Sequence, residues 1–306
     1  MRAAVIGVGH LGKHHARILA SLPGVTLAGV VDTNAERAAQ IAAEHGSTAY
    51  ADVSQIDGTL DLAVIAVPTE HHAAIALPLI ASGVHTLIEK PITQTLAEAD
   101  AVIAAAKQAG VVLAVGHSER FNPAVVAARP YLNDPRFIEV HRLGTQIGRS
   151  LDIDVVLDLM IHDLDLILSF VPSEVESVEA VGVPVLTPKV DIANARIRFA
   201  NGCIANLTAS RISKDQVRKI RFFQRERYVS IDTAAKEVEM FQVVPQPGAL
   251  PKIGGGKQAV AGEEPLKSEL EDFVAAVRDR RAPAVPGEQG RAALALAVKI
   301  VELMRQ

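Results

Sequence analysis

The sequence predicts an α/β protein: a doubly wound parallel sheet first, then an α+β part with a large open-faced, mostly antiparallel sheet. Over the first 120 residues, short β-branched-rich runs alternate with longer Ala- and Leu-rich stretches of helical spacing. Such alternation builds a parallel sheet with helices on both faces. After Pro123 the runs lengthen, and many alternate apolar with polar residues, as in Asp191-Ile192-Ala193-Asn194-Ala195-Arg196-Ile197-Arg198-Phe199. That period of two marks strands with one buried and one open face.

In the first part, strands are expected over residues 3–8, 25–31, 62–67, 84–88 and 111–115. Helices are expected between them over 11–22, 35–45, 71–82 and 96–109. Gly24, Gly46, Gly83 and Gly110 stand just past the helical stretches, where a helix end favours a left-handed residue. The second part opens with an expected strand at 136–146 and a helix at 154–170. Strands follow near 175–183, 191–199, 203–210, 217–223 and 228–232. Residues 245–265 hold five Gly and four Pro and read as a mobile loop. Helical spacing resumes over 269–280 and 290–305, and the last helix is expected to pack back on the first domain. The expected domains are 1–120 and 121–306. No internal repeat or low-complexity segment interrupts them.

With 306 residues, 49% of them hydrophobic and 22% charged, the chain has material for two well-packed cores. A net charge of -4 argues against a nucleic-acid partner. Cys203 is the only cysteine, which rules out an internal disulfide or a cysteine metal cluster. A strand entered at Ala3 leaves no room for a signal peptide. The longest apolar stretches, such as 73–81, fall short of the about 18 residues of a membrane span. A soluble cytoplasmic protein with no membrane partner is expected.

The first strand runs into Gly7-Val8-Gly9-His10-Leu11-Gly12, which opens the first helix. In this context the pattern is a dinucleotide fingerprint. Gly7 permits the tight turn, Gly9 lets the backbone approach a pyrophosphate, and Gly12 allows helix and strand to pack closely. Gly7, Gly9, His10, Leu11 and Gly12 are therefore candidate cofactor contacts. The helix N-terminus adds N–H groups and a favourable dipole. Asp32, about 20 residues further on, ends the second strand and suits the adenosine ribose hydroxyls; its alternative role is a helix N-cap. A carboxylate there repels a 2′-phosphate, and Thr33 and Asn34 supply no cation, so NAD is expected over NADP. Arg37 is assigned to a solvated helix face.

Glu89-Lys90-Pro91 closes the fourth of these apolar runs, at the carboxyl edge where an open α/β sheet forms its ligand crevice. Asp158 and His162 are spaced i and i+4, on one helix face, with Asp165 further along. Histidine titrates near neutrality and carries protons readily. Asp152, Asp154, Asp158, His162, Asp163 and Asp165 include metal-ligand types but no recognisable ligand motif, so no metal is expected. His71 and His72, at the start of a helix, read as lining or capping the cofactor crevice.

These motifs, with Gly12-Lys13-His14-His15-Ala16, Val67-Pro68-Thr69-Glu70-His71-His72 and Gly116-His117-Ser118-Glu119-Arg120-Phe121-Asn122-Pro123, resemble the glucose-fructose oxidoreductase / inositol dehydrogenase (GFO/IDH/MocA) family. Asp158-Leu159-Met160-Ile161-His162-Asp163-Leu164-Asp165 completes the set. The resemblance implies a Rossmann domain joined to an α/β domain whose open sheet forms the interface of a homodimer or homotetramer. It implies hydride transfer from a secondary alcohol to NAD. Lys90, Asp158 and His162 would do the chemistry: His162 as acid/base, Lys90 as hydroxyl-binding partner or alternate base, Asp158 as orienter. Pro68, Thr69, His72, Glu89 and Lys90 join the expected cofactor contacts. Substrate contacts are expected from Lys90, Arg120, Asn122, Asp158, His162 and Arg211, with a structural salt bridge as the equal reading for Arg120. Where the family often reads D-x-G-x-H, Met160 replaces the glycine, and its side chain either crowds the pocket or packs.

Residues 116–123, Ser210-Arg211-Ile212-Ser213, 218–223 and 228–232 further resemble the branch that oxidises the 3-hydroxyl of UDP-N-acetylglucosamine. That implies a 3-keto sugar nucleotide, passed to a separate transaminase on the way to lipid A. Residues 211–227 carry seven Lys/Arg against two acids, either a solvated sheet face or a grip on a diphosphate. A free-sugar or inositol dehydrogenase, and a non-catalytic dinucleotide sensor, are the alternatives.

Overall fold

The structure is a computed structural model that describes residues 1–145 and 153–305. The first sheet takes strands β1 (Arg2–Ile6), β2 (Thr26–Val31), β3 (Ala49–Tyr50), β4 (Leu62–Ile65), β5 (His85–Glu89) and β6 (Leu113–Gly116). Their order is β3-β2-β1-β4-β5-β6, and every pairing is parallel. Between them run helices α1 (Gly12–Ser21), α2 (Ala35–Glu44), α3 (His72–Ala81) and α4 (Leu96–Ala109). The chain steps outward from β1 to β3 and returns to β4, so the strand order reverses between β1 and β4. Open α/β sheets bind ligands at that reversal.

Local chemistry explains these boundaries. β4 is buried along its whole length, hence the unbroken apolar run Leu62-Ala63-Val64-Ile65. Asn34 caps α2 by accepting from the Arg37 N–H, and Thr95 with Glu98 forms a capping box at α4. Gly24, Gly46, Gly83 and Gly110 all take positive φ, 63° to 82°, behind the helices they follow. β3 had no sequence signal because two residues are too few to show a period.

The second sheet has the order β14-β13-β12-β11-β7-β10-β9-β8. Its strands are β7 (Phe137–Thr145), β8 (Val175–Val183), β9 (Ile192–Phe199), β10 (Ile204–Ser210), β11 (Ile212–Phe223), β12 (Arg227–Asp232), β13 (Glu237–Val244) and β14 (Lys252–Gln258). Only β7 and β10 pair in parallel; the other neighbours are antiparallel. Ile138, Val140, Ile197, Leu207, Ile220, Phe222, Val229 and Ile231 bury one face of this sheet. Against it lie Ile161, Leu164 and Ile167 of α6 (Ile161–Phe170). On the opposite face Phe137, Phe223, Tyr228 and Phe241 form a ladder across four strands, with ring centroids 5.5, 5.1 and 6.3 Å apart. A short helix, α5 (Pro123–Ala128), leads into the sheet, and α7 (Pro265–Asp279) and α8 (Gly287–Leu303) end the chain.

Two element assignments change. Residues 252–258, read as mobile loop, form the edge strand β14, paired with β13 from Val238↔Gln258 to Val244↔Lys252. Gly254-Gly255-Gly256 has no side chains to display a strand period. Glycine is also required there: Gly255 has φ 139°, and a Cβ on it would strike the Met240 carbonyl. The helix expected over 154–170 is α-helical only from Ile161; Val156–Met160 forms a π-helical turn. Such turns insert an extra residue into the helix and recur at functional sites.

By contacts the chain divides into two units, Met1–Ser118 with Leu266–Arg291, and Glu119–Pro265 with Ala292–Gln306. The last helix was expected to pack on the first domain; instead Leu270, Phe273 and Val274 of α7 share a core with Val5, Leu19 and Leu62, while Ala293, Leu296, Ala297 and Ile300 of α8 lie in the core of the second unit. Met160 is fully buried in the core of the second unit, so its side chain packs there. Met160→Ala is therefore expected to lower stability by about 2–5 kcal/mol, read from the denaturant midpoint of the second unit's transition. An unchanged midpoint would show that the side chain is not part of the core.

Candidate functional site

In the first unit a cavity of about 650 Å³ lies over the carboxyl ends of β1, β2 and β4. Gly7, Gly9, Asp32 and Pro68 line it. Gly7 leaves β1 at φ 85°, and a Cβ there would sit 2.7 Å from the Ala66 carbonyl oxygen. A Cβ on Gly12 would strike the Gly7 carbonyl, so the start of α1 and the end of β1 can meet only without one. Gly9 faces open space, leaving its backbone accessible to a ligand. His10 and Leu11 are exposed at the helix start, outside the lining. Thr69 begins the short turn Thr69–His71, from which His71 reaches the cavity wall.

Asp32 is buried at the end of β2, and its two oxygens accept four hydrogen bonds. Oδ2 takes the Val8 N–H at 2.9 Å and Arg37 Nε at 3.1 Å; Oδ1 takes the Asn34 N–H at 2.9 Å and Arg37 Nη2 at 2.7 Å. Asn34, not Asp32, caps α2. Burial works against the Asp32 charge, but Arg37 and the two N–H groups outweigh it and hold the carboxyl below its ordinary pKa. Arg37 therefore does not belong to a plain solvated face. It reaches back across the β2–α2 turn, clamps Asp32 in bidentate fashion and lines the cavity. A pair five residues apart that closes across a turn has no helical spacing to betray it.

Glu89 ends β5 with its carboxylate buried. His15 Nε2 lies 2.8 Å from Glu89 Oε1, and the Lys90 N–H donates to Glu89 Oε2 at 3.2 Å. Burial raises the Glu89 pKa, but the His15 contact and the charges of His15 and Lys90 outweigh it and bring the pKa below its usual value. His15 stands in the quoted motif but had no assigned role; it fixes α1 to the strand end that presents Lys90. Lys90 is half-buried, and its bond to Pro91 is cis. His72 is buried behind the cavity wall. Its Nδ1 faces the carbonyl oxygens of Pro91 at 3.0 Å and Ile92 at 3.3 Å, and its Nε2 faces that of Val67 at 2.9 Å. It thereby clips the loop after β5 to the loop after β4. Burial lowers the His72 pKa, and the carbonyls and Glu89 only partly oppose this.

In the second unit, Asp158 lies buried in the π-helical turn and His162 half-buried in the first turn of α6. The neighbouring acids have other duties. Asp163 accepts from Arg142 Nε at 2.7 Å and Nη2 at 2.8 Å; Arg142 also approaches Glu119 at 3.4 Å. Burial disfavours the Arg142 charge, but these carboxylates outweigh it and push the pKa above its ordinary value. Asp165 accepts from Arg120 Nε at 2.5 Å and Nη2 at 2.8 Å, both side chains being buried. This is the salt bridge weighed for Arg120. Asp154 accepts from the Val190 N–H at 2.9 Å. Asp152 lies outside the described residues. Arg211 is fully buried, donating to the Ile153 carbonyl at 2.6 Å, 3.7 Å from Asp191. Asn122 caps α5 and donates to the Thr233 carbonyl at 3.0 Å.

Asn122, Glu119, Arg142 and Leu159 line a second cavity, of about 550 Å³, within this unit. Arg218, from the basic stretch weighed as a diphosphate grip, and Lys236, which the sequence did not single out, line it too.

Comparison with known proteins places these features among relatives. A family model described as "Oxidoreductase family, NAD-binding Rossmann fold" matches residues 1–117, and one described as "GFO/IDH/MocA C-terminal domain" matches residues 143–226. The chain is 41% identical over 304 residues to UDP-N-acetylglucosamine 3-dehydrogenase of Acidithiobacillus ferrooxidans, covering 98% of this chain and 96% of that protein. A solved structure of that enzyme superposes with a TM-score of 0.93 at 40% identity, over 100% of this chain and 99% of that one. The scyllo-inositol 2-dehydrogenase (NAD(+)) of Bacillus subtilis is 30% identical over 238 residues, 70% of this chain and 68% of that protein.

The lowered His72 pKa has a consequence for stability. A buried neutral histidine binds fewer protons folded than unfolded, so its contribution is complete above the unfolded pKa of about 6.5. It is lost as pH falls through the lower folded value. His72→Gln should flatten the fall of melting temperature between pH 6.5 and 5 relative to the parent protein. Identical slopes would mean that His72 does not titrate on unfolding.

Proposed function

Since the chain belongs to the GFO/IDH/MocA family of NAD-binding oxidoreductases, we propose that it oxidises the 3-hydroxyl of UDP-N-acetylglucosamine to the 3-keto sugar nucleotide. The observation that carries this reading is the near-full-length similarity to an enzyme of that name. The fingerprint edge supports NAD as the cofactor: Gly9 opens its backbone to the cavity, and the Asp32 carboxylate, which repels a 2′-phosphate, stands at the ribose position with the adjacent Arg37 guanidinium bound to it. The 3-keto product is what a transaminase consumes to make a 3-amino sugar nucleotide, which fits a role in supplying lipid A.

In the proposed chemistry, bound NAD supplies the hydride acceptor. The alcohol carbon loses a hydride and its oxygen loses a proton, leaving a ketone. His162 takes the hydroxyl proton, and Asp158 orients the ring. Lys90 donates a hydrogen bond to the alcohol oxygen and stabilises the alkoxide that develops on it. Glu89, itself compensated by His15, holds the Lys90 backbone. Arg120 and Arg211, bound into buried ion pairs, support the fold around this chemistry rather than the substrate. Asn122 stays a substrate-side residue, at the wall of the second cavity.

Cytoplasmic action and assembly through the open sheet face complete the proposal. Among the described residues no helix is long and apolar enough to cross a membrane. The Phe137–Phe223–Tyr228–Phe241 ladder offers that face an aromatic patch to bury against a second copy.

Following NAD reduction with UDP-N-acetylglucosamine, free N-acetylglucosamine, glucose and inositols tests the reading. Turnover of the UDP-sugar alone is expected. Turnover of inositols alone would favour the second reading, which the Bacillus subtilis relative supports. NAD binding with no reduction by any sugar would favour a sensor. Lys90→Ala and His162→Ala should each lower kcat by about 10²–10⁴-fold while NAD still binds; full activity in both would remove the assignment.

Asp32 already accepts four hydrogen bonds, the capacity of a carboxylate. A ribose diol must therefore displace Arg37 to reach it. Asp32→Ala should raise the KM for NAD about 10–100-fold, whereas Arg37→Ala should leave it equal or lower. A KM raised as much by Arg37→Ala would show that the guanidinium itself holds the cofactor.

A further inference from the structure

Arg142 on β7 and Arg218 on β11 stand directly opposite one another across an antiparallel pair. Both lie on the sheet face that carries Ile138 and Val140 of β7 and Ile220 and Phe222 of β11, with Arg142 buried and Arg218 exposed at its end. Like charges opposite on one face repel, so the pair needs compensation. Arg142 has it, in Asp163 and Glu119. Arg218 has less. Among the described residues no hydrogen bond or salt bridge holds its side chain, and Asp163, whose charge attracts it, is already bonded to Arg142.

The next strand brings a second cation to the same place. The loop between β12 and β13 begins at Thr233, whose N–H donates to the Arg218 carbonyl at 2.9 Å. It ends at Lys236, one of two described non-glycine residues with positive φ, at 56°. Hairpin loops usually give such a position to glycine or asparagine, because a side chain there is strained. Lys236 also makes no side-chain hydrogen bond or salt bridge among the described residues. The other nearby charges are matched: Lys219 lies 3.7 Å from Asp232, and Glu237 is 2.9 Å from Lys257. The cavity lining thus holds three cations, Arg142, Arg218 and Lys236, against one acid, Glu119. Thr233, Gln216 and Ser210 supply neutral polar groups around them, and Leu159 brings in the π-helical turn that carries Asp158.

We propose that Arg218 and Lys236 form an anion subsite in this cavity, and that it grips the diphosphate of a nucleotide-sugar substrate. Arg218 offers a planar fork of donors to the phosphate oxygens and Lys236 a mobile point charge. With no acid bonded to either, Arg218 and Lys236 repel one another, and a dianion between them turns that repulsion into attraction. The inference rests on the sugar-nucleotide reading of the function and adds how the nucleotide end is recognised. It also explains why a free sugar, without a phosphate, would make a poor substrate.

The test compares the full-length protein with Arg218→Ala, Lys236→Ala, Arg218→Lys and the double alanine variant. Two quantities are measured: the KM for UDP-N-acetylglucosamine in NAD reduction, and the dissociation constant of UDP by calorimetry. Each alanine should raise both about 10–100-fold, as expected for loss of a hydrogen bond between charged groups, with a much smaller change in kcat. Arg218→Lys should recover part of the loss, and added salt should weaken UDP binding to the parent more than to the double variant. Both residues are exposed, so melting temperatures should hold, which separates lost binding from lost folding. Unchanged KM and UDP affinity in the double variant would overturn the subsite while leaving the proposed reaction standing. UDP binding that needs Arg218 and Lys236, without NAD reduction by any UDP-sugar, would keep the subsite and overturn the reaction. No UDP binding by the parent protein would overturn the subsite whatever substrate is turned over.

Discussion

A charge taken out of water must have an opposite charge held against it or it costs several kcal/mol, and this constraint organises both cavities. Glu89 has His15, Asp32 has Arg37, Asp163 has Arg142, Asp165 has Arg120, and Arg211 has Asp191. His15 joins α1 to the end of β5; Arg120 and Arg142 join the entry loop and β7 to α6. With these groups neutralised inside, the charges that face the cavities stand out from the structural ones.

The same sorting separates the carboxylates. In the first unit, a carboxylate closes each of two strand ends: Asp32 after β2 and Glu89 in β5. One carboxylate faces the cavity; the other is turned inward to brace the backbone of Lys90. In the second unit the acids of the helix divide likewise, Asp163 and Asp165 inward to arginines, Asp158 in the π-helical turn beside His162. Asp163 and Asp165, two residues apart on α6, are thus each held by a different arginine.

Much of the fold was legible in the sequence because its signals are local. The fingerprint glycines, the strand-length apolar runs and the glycines behind each helix depend on neighbouring residues, and α4 and β8 run over the residues the periodicity predicts. What was not legible depends on distant partners. β14 has no side-chain pattern and exists through β13. The π-helical turn leaves no trace in a string of Val, Leu and Asp. Lys90, Asp158 and His162, the proposed catalytic residues, were singled out by motif and spacing. The His15 clasp, the Arg37 clamp and the Arg218–Arg142 opposition were not, because each is a contact between residues on different elements. Arg211 was drawn toward the substrate by its basic neighbours, yet a fully buried guanidinium 3.7 Å from Asp191 has a structural task that composition cannot disclose.

The central claim is that a hydride leaves carbon 3 of the N-acetylglucosamine ring while the nucleotide stays attached. Incubating the protein with NAD and UDP-N-acetylglucosamine deuterated only at ring carbon 3, and reading the reduced cofactor by NMR, tests it directly. Deuterium is expected at carbon 4 of the reduced nicotinamide, with slower turnover than for the protonated sugar. Reduced cofactor free of deuterium would contradict it.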